Sequence, residues 1–425
     1  MTFYANDAVR STQDRRVRSP DASDAEFAVL SSDAGLALIA QAQAVKSPGP
    51  SDLARWRKAH DQESVAAALR LAEARRKATP KFSRGDRMWL DPVGLEQATA
   101  EAVAVHKARR FEADAVVDLC SGIGGDAVAL AGRSRVLAVD LDLGMCRRVA
   151  WNADVYDRGD RVQPCRASAE TLPIPPGAWV HIDPDRRASK RGRAVDAEGY
   201  APGPEFLHAL MTRAPGGAIK LGPASDFARF AEEFDCEVEI ISLGGEAKEA
   251  TVWFGAAASC RRRATKLPEG TTWTDRLGDQ PWSEYPIVAP IGRWLYDPDP
   301  ALSRSGLLDS FARAHGLGRL AADLPYLTSE DFLATPWLEA FEIQSVHPLD
   351  LKRLRKLIDA ERLGPVSVKH RTTDLKPETL RPLLRHHGDS PTVLFLTGGA
   401  GPGRAIVTHK AAALRTGGSP DSTAG

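Results

Sequence analysis

Cysteine is scarce, with five thiols in 425 residues: Cys120, Cys146, Cys165, Cys236 and Cys260. Their long, irregular intervals contain no C-x-x-C pair, which excludes a zinc-ribbon spacing and a disulfide framework and fits a reducing compartment. Long apolar runs are missing too. No stretch approaches the ~20 residues that a membrane-spanning helix needs, and the opening MTFYANDAVRSTQDRRVRSP has no apolar signal core. A cytoplasmic location with no membrane partner is the expectation. Net charge is absent as well. With 56 basic and 56 acidic residues, bulk electrostatic coating of nucleic acid is excluded, and only local basic patches are left for such a role. His347, His370, His386 and His387 show no ligand spacing, so no metal is expected.

The chain has enough apolar residues for ordinary cores, and its length predicts two or three domains. Residues 1–22 and 413–425 lack any apolar period and are read as disordered tails. Residues 23–110 are helical in pattern, with AVLSSDAGLALIAQAQAV, DLARWRKAH and ESVAAALRLAEARRKA separated by the breaks SPGPSD and TPKFSRGD. One further helix is predicted over Pro92–Arg110. From Ala115 short β runs alternate with helices, which implies a doubly wound, mostly parallel α/β sheet over 111–260. CEVEIISLGG and EATVWFGAA read as its antiparallel closing strands. Residues 261–300 read as a connector or small ferredoxin-like segment. An α+β domain follows over 301–412, with helices at SRSGLLDSFARAHG and HPLDLKRLRKLIDAERLG and strands at PVSVKHR, PTVLFLTG and GRAIVTH.

Chemistry concentrates in VVDLCSGIGGDA, an apolar strand that ends in an acid and turns through glycines into a helix. Glycine lets the backbone turn sharply and approach a ligand, and a helix start offers free N–H donors. Gly122 to Ala127 also satisfies the dinucleotide fingerprint G-x-G-x-x-G/A, so a nicotinamide-dependent oxidoreductase stands as one reading. Asp118 weighs against it. Four residues before Gly122, its charge would oppose a pyrophosphate but would pair with a methionine ammonium group. Asp140 ends the next strand, VLAVD, where a carboxylate accepts ribose hydroxyls of either cofactor. Asp183-Pro184 ends a third, VHIDP, at the sheet edge where doubly wound folds bind ligands.

These residues resemble a class I S-adenosylmethionine-dependent methyltransferase. Asp118, Gly122 and Gly124 match the glycine-rich first motif, Asp140 the ribose acid, and Asp183-Pro184 the start of the catalytic D-P-P-Y type motif. VDLCSGIGGDAVALA, AVDLD and WNADVYDRGDRV resemble RNA cap guanine-N2 methyltransferase-like proteins. Over roughly 85–410 the chain resembles a bacterial family that joins such a domain to a THUMP-like C-terminal domain, carried also by LDPVGLEQATAEAVAVHKARRF and DPDPALSRSG. The resemblance implies a seven-stranded sheet, S-adenosyl-L-methionine as cofactor, and RNA as substrate. It assigns Asp118, Gly122, Gly124, Gly125, Asp126 and Asp140 to the cofactor, with Ser168 or Glu170 near the adenine; Gln97 and Thr99, on the preceding helix, read as lining the pocket or as solvated or capping residues. Asp183 and the Pro184 carbonyl would accept hydrogen bonds from an attacking base amine. The motif departs from the pattern at Asp185-Arg186, where a proline and an aromatic ring are usual, and a non-catalytic RNA-binding adaptor therefore stands as another reading. Arg186, Arg187, Lys190 and Arg191 form a basic run directly after it, placed to meet an RNA backbone. Lys352, Arg353, Arg355 and Lys356 read as an exposed helix face, and Asp297-Pro298-Asp299-Pro300 as a rigid turn.

Overall fold

Alanine and leucine at helical spacing build the start of the chain in the computed structural model, which describes residues 27, 30–186, 200–222, 234–275, 286–371, 375–381, 388–398 and 403–411. The two tails read as disordered, and Arg187, Lys190 and Arg191, lie outside the described residues. By its contacts the chain divides into two compact units, Met1–Ala108 with Cys120–Leu172, and Arg109–Leu119 with Pro173–Gly425.

In the first unit, helices α1 (Asp33–Ala44), α2 (Pro50–Arg57) and α3 (Gln62–Ala78) bury Leu38, Ile39, Ala42, Trp56, Val65, Ala68 and Leu71 in one core. Polar caps set where they begin. The Ser32 and Asp61 side chains accept from Gly35 N and Ser64 N, which satisfies donors that the helix itself leaves open. The single helix expected over Pro92–Arg110 is instead two, α4 (Pro92–Gln97) and α5 (Glu101–Ala108). Ala98 takes an extended conformation (ψ 145°) between them, and Thr99 is buried. Strands β2 (Arg135–Asp140) and β3 (Val162–Arg166) pair in parallel, and α6 (Gly125–Leu130) and α7 (Leu143–Val155) complete this unit.

In the second unit, β1 (Ala115–Leu119) pairs in parallel with β4 (Trp179–Ile182), and β4 with β7 (Gly216–Leu221). A short hairpin, β5 (Asp185–Arg186) and β6 (Tyr200–Ala201), and helix α8 (Pro204–Arg213) lie between these strands in sequence. The strands predicted to close the sheet, β8 (Cys236–Leu243) and β9 (Glu246–Gly255), do pair antiparallel. Two more strands join them. β10 (Arg262–Leu267) runs parallel to β8, and β11 (Thr271–Thr274) pairs with β10, both within the stretch read as a connector. The order is β11-β10-β8-β9-β7-β4-β1-β2-β3, a nine-stranded mixed sheet in place of the seven-stranded one expected. The reason is local: RRATKL carries arginines and a lysine that hide its strand character, yet Ala264 and Thr265 are fully buried.

The C-terminal part of the second unit is α+β. Strands β12 (Trp294–Pro298), β13 (Gly318–Arg319), β14 (Leu327–Ser329), β15 (Leu338–Pro348), β16 (Leu363–Arg371), β17 (Ser390–Thr397) and β18 (Arg404–Lys410) order as β13-β14-β12-β15-β18-β17-β16. Helices α9 (Pro300–Arg304), α10 (Leu308–Ala314), α11 (Leu351–Ala360) and α12 (Pro377–Leu380) accompany them. Leu354 and Ile358 of α11 pack with Leu394, Leu396 and Val407, while Lys352, Arg353, Arg355 and Lys356 are exposed, the helix face that the spacing predicts. In the Asp-Pro repeat, Asp299 caps α9 by accepting from Ala301 N. Lys369 joins the other acid, its ammonium 2.6 Å from both Asp297 and Glu339.

Candidate active site

The glycine-rich turn belongs to the first unit from Cys120 onward. Three of its five residues hold left-handed backbone, Cys120 (φ 59°), Gly122 (φ 54°) and Gly124 (φ 86°). Glycine is required at Gly124 on two counts: the left-handed φ, and a Cβ position 3.2 Å from Val149 Cα, which lets α6 lie close against α7. Gly122 differs. A Cβ built there meets nothing within 4 Å, so this backbone faces open space. Beside it the Ser121 hydroxyl oxygen is buried with no hydrogen-bond partner among the described residues, a group whose desolvation calls for a ligand.

Asp140, at the carboxyl end of β2, holds the turn. Its Oδ2 accepts from Gly122 N at 2.9 Å and its Oδ1 from Asp142 N at 2.9 Å, while Ser121 N donates to Val139 O at 3.0 Å. The Cys146 thiol reaches the Asp140 carbonyl at 3.7 Å. Burial, reinforced by the charge of Asp140, pushes this thiol up to about 11, so it stays protonated at neutral pH and offers no nucleophile. From α7 the fully buried Asn152 amide donates to Ile123 O at 2.8 Å and to Trp89 O at 3.1 Å, and its oxygen accepts from Trp89 N at 2.7 Å. The turn is therefore fixed by a strand acid on one side and a helix amide on the other.

Two of the residues assigned to the cofactor from sequence, Thr99 and Asp126, engage each other. Thr99 Oγ1 donates to Asp126 Oδ2 at 2.5 Å, and Lys107 Nζ lies 2.9 Å from Asp126 Oδ1, all three buried. Both carboxylate oxygens of Asp126 are thus bound within the protein, and the group ties the start of α6 to α5. Gly125 opens α6, its Cβ position 3.5 Å from Thr99 O. Gln97 is exposed at the end of α4. Ser168 is half-buried, with its hydroxyl accepting from Glu170 N at 3.3 Å and its carbonyl from Leu172 N at 3.1 Å, a turn that follows β3.

In the second unit Asp118 lies on β1 directly across from His181 on β4. Both are about 1% exposed, and His181 Nδ1 is 2.6 Å from Asp118 Oδ1. Phe111 lies edge-on to His181 at 6.3 Å and tilted against Trp253 at 5.7 Å, walling the pair with apolar surface. Asp183 follows β4. Its N–H donates to Leu119 O at 3.2 Å, which pins it to the end of β1, and its Oδ2 accepts from Lys220 Nζ at 2.6 Å. Pro184 is buried and Asp185 exposed. Asp185 and Arg186 pair in backbone register with Ala201 and Tyr200. His181, Lys220 and Asn152 escape a reading of motifs. Their only sequence signal is a polar residue inside an apolar run, His181 in WVHID, Lys220 in GGAIKLG and Asn152 in RVAWNADV.

A parallel β-α-β core whose first turn presents open backbone beside a strand-end acid defines the class: a doubly wound domain built for a nucleoside cofactor. Residues 113–195 match the family model described as RNA cap guanine-N2 methyltransferase, residues 338–410 that of a THUMP domain-like unit, and residues 23–78 a domain of unknown function. An S-adenosylmethionine-dependent methyltransferase of Mycobacterium tuberculosis strain CDC 1551 is 33% identical over 334 residues, 76% of this chain and 90% of the relative. Its counterpart in strain H37Rv gives the same figures. A crystal structure of a candidate methyltransferase from Porphyromonas gingivalis W83 shares the fold, with a TM-score of 0.71 at 18% identity over 89% of this chain and 98% of that one. The chain belongs to the S-adenosylmethionine-dependent methyltransferases. Its cofactor is accordingly S-adenosylmethionine, and the nicotinamide and adaptor readings lapse. The residues of the turn fit that group: the Gly122 backbone is open to a ligand, the Ser121 hydroxyl awaits a partner, and the Asp140 carboxylate is held in place.

Proposed function

We propose that this methyltransferase acts on RNA, with a base amine as the acceptor, in a cytoplasmic setting. In this reading Ser121, the Gly122 backbone and Asp140 hold the cofactor. Bound there, S-adenosylmethionine supplies an electrophilic methyl carbon on a sulfonium. The chain's task is then positioning and hydrogen bonding. Asp183 and the Pro184 carbonyl accept the N–H bonds of the attacking amine and aim its lone pair, and they stabilise the positive charge that grows on nitrogen as the new bond forms.

The observation that carries this reading is Asp183 itself, whose backbone N–H donates to Leu119 O at the strand end and whose half-buried carboxylate accepts from Lys220 Nζ. The RNA part rests on the two family descriptions and on the basic residues Arg186, Arg187, Lys190 and Arg191 that follow it. Among the described residues no helix is long and apolar enough to cross a membrane.

The test uses total RNA, protein and small-metabolite fractions from a strain lacking the gene, each offered with methyl-tritiated S-adenosylmethionine. Label is expected in RNA, with nucleoside digestion revealing a methylated base, and Asp183→Asn lowers the rate at least 100-fold with cofactor affinity unchanged. Label confined to protein or metabolites would overturn the RNA assignment.

A further inference from the structure

Lys220 is unusual in its strand. Around it Gly217, Ala218, Ile219 and Leu221 of β7 are buried, and an ammonium in such a place is costly unless it meets a charge. Its side chain is only 14% exposed, and it ends 2.6 Å from Asp183 Oδ2. Backbone register explains how the two meet. Ile182 of β4 pairs with Ile219 of β7, so the residue after each strand partner, Asp183 and Lys220, stands at the same level of the sheet.

The consequence is geometric. The Asp183 backbone is tied to Leu119 O, and one carboxylate oxygen is tied to Lys220. Oδ1 has no hydrogen-bond partner among the described residues, while the side chain keeps 31% exposure. A carboxylate on its own rotates about its last bond and presents either oxygen. Here one oxygen is anchored and the other is directed outward.

We propose that Lys220 is a positioning residue for methyl transfer: its ammonium anchors Asp183 Oδ2 so that Oδ1 is presented to the acceptor. The inference rests on the assignment of Asp183 to the acceptor. Lys220 touches neither cofactor nor acceptor in this scheme and acts through Asp183. Replacing it therefore lowers the transfer step while the affinity for S-adenosylmethionine persists.

The test compares wild type, Lys220→Met, Lys220→Gln, Lys220→Arg, Asp183→Asn and the double variant Asp183→Asn with Lys220→Met. Transfer of tritiated methyl to RNA from the deletion strain separates turnover from KM, and calorimetry gives S-adenosylmethionine affinity and reports folding. The Met and Gln variants are expected to turn over at least 10-fold more slowly than wild type, with cofactor affinity changed by less than 2-fold. Arg recovers part of the loss, and Met adds less than 2-fold in the Asp183→Asn background. Met and Gln share one prediction, so a folding failure of one leaves the other to decide. Wild-type turnover in either folded variant, or a full Met effect on top of Asp183→Asn, overturns the proposal. If Asp183→Asn itself keeps the wild-type rate, the assignment of Asp183 fails first. If Asp183→Asn is inactive while Lys220→Met is not, only the role of Lys220 fails.

Discussion

Gly124 and Gly122 sit two residues apart in one turn and have opposite physical reasons to be glycine. At Gly124 an added methyl meets left-handed backbone strain and the Val149 Cα at 3.2 Å, so Gly124→Ala is expected to destabilise the fold by about 1–3 kcal/mol, readable as a lower chemical-denaturation midpoint. At Gly122 the same methyl enters open space. Gly122→Ala carries the backbone strain as well, but its distinctive loss is cofactor affinity, at least 10-fold by calorimetry on protein that still folds. Equal folding defects with equal cofactor affinity at the two positions would contradict the assignment. Asn152 gives a third residue-scale prediction. Asn152→Ala strands the Ile123 and Trp89 carbonyls in the interior, at a cost of roughly 1–3 kcal/mol per unsatisfied group, and the variant is expected to melt lower and to bind cofactor more weakly, since Ile123 lies inside the turn. The turn and Asp140 were legible in the sequence because both lie in one short β-α-β stretch. Asn152, His181 and Lys220 were not, because each is defined by a partner supplied through tertiary packing or strand register.

Strand β8 shows the same logic over a whole element. Glu237 and Glu239 are fully buried, a placement that CEVEIISL does not announce, since an alternating strand normally turns its acids to water. Their counter-charges come from far along the chain. Arg110 Nη1 lies 2.6 Å from Glu237 and 2.9 Å from Glu239, its guanidinium stacks 4.0 Å from the Trp253 ring centre, and Arg263 Nε lies 2.8 Å from Glu237. Thr265 also donates to Glu239. Losing Arg110 strips one guanidinium from two buried carboxylates, so Arg110→Ala is expected to cost roughly 3–5 kcal/mol in a denaturant titration. Burial alone would raise the Glu237 carboxyl, yet hydrogen bonds and charge from Arg110 and Arg263 outweigh it and hold the group below its ordinary value of 4.5. A carboxyl depressed in the folded state contributes stability that is present above its unfolded value and is lost as pH falls through the folded one. The melting temperature should therefore drop as pH is lowered below about 4.5, and Glu237→Gln should start lower at pH 7 and depend less on pH in that range. A wild-type acid slope in that variant would place the titration elsewhere. The extra strand β10 escaped prediction for the same physical reason: charged side chains that pair inside a sheet, as Arg262 does with Asp275 and Arg263 with Glu237, look, in one dimension, like solvent-facing ones.

At the scale of the molecule, the α/β core, the helical first part and the α+β C-terminal part were all legible from the rhythm of apolar residues. The strand count was not. What the sequence order cannot convey is which partner each acid meets: Asp126 is bound by Thr99 and Lys107, and Asp140 by the backbone of Gly122 and Asp142. Family membership supplies the reaction, and the turn is the place we propose for its cofactor. The most direct measurement is calorimetric titration of S-adenosylmethionine into wild type, Asp140→Ala and Asp126→Asn. Wild type is predicted to bind one equivalent, Asp140→Ala to lose at least 10-fold in affinity, and Asp126→Asn, where folded, to bind nearly as wild type does. Unchanged affinity in a folded Asp140→Ala protein would contradict the account and move the cofactor away from this turn.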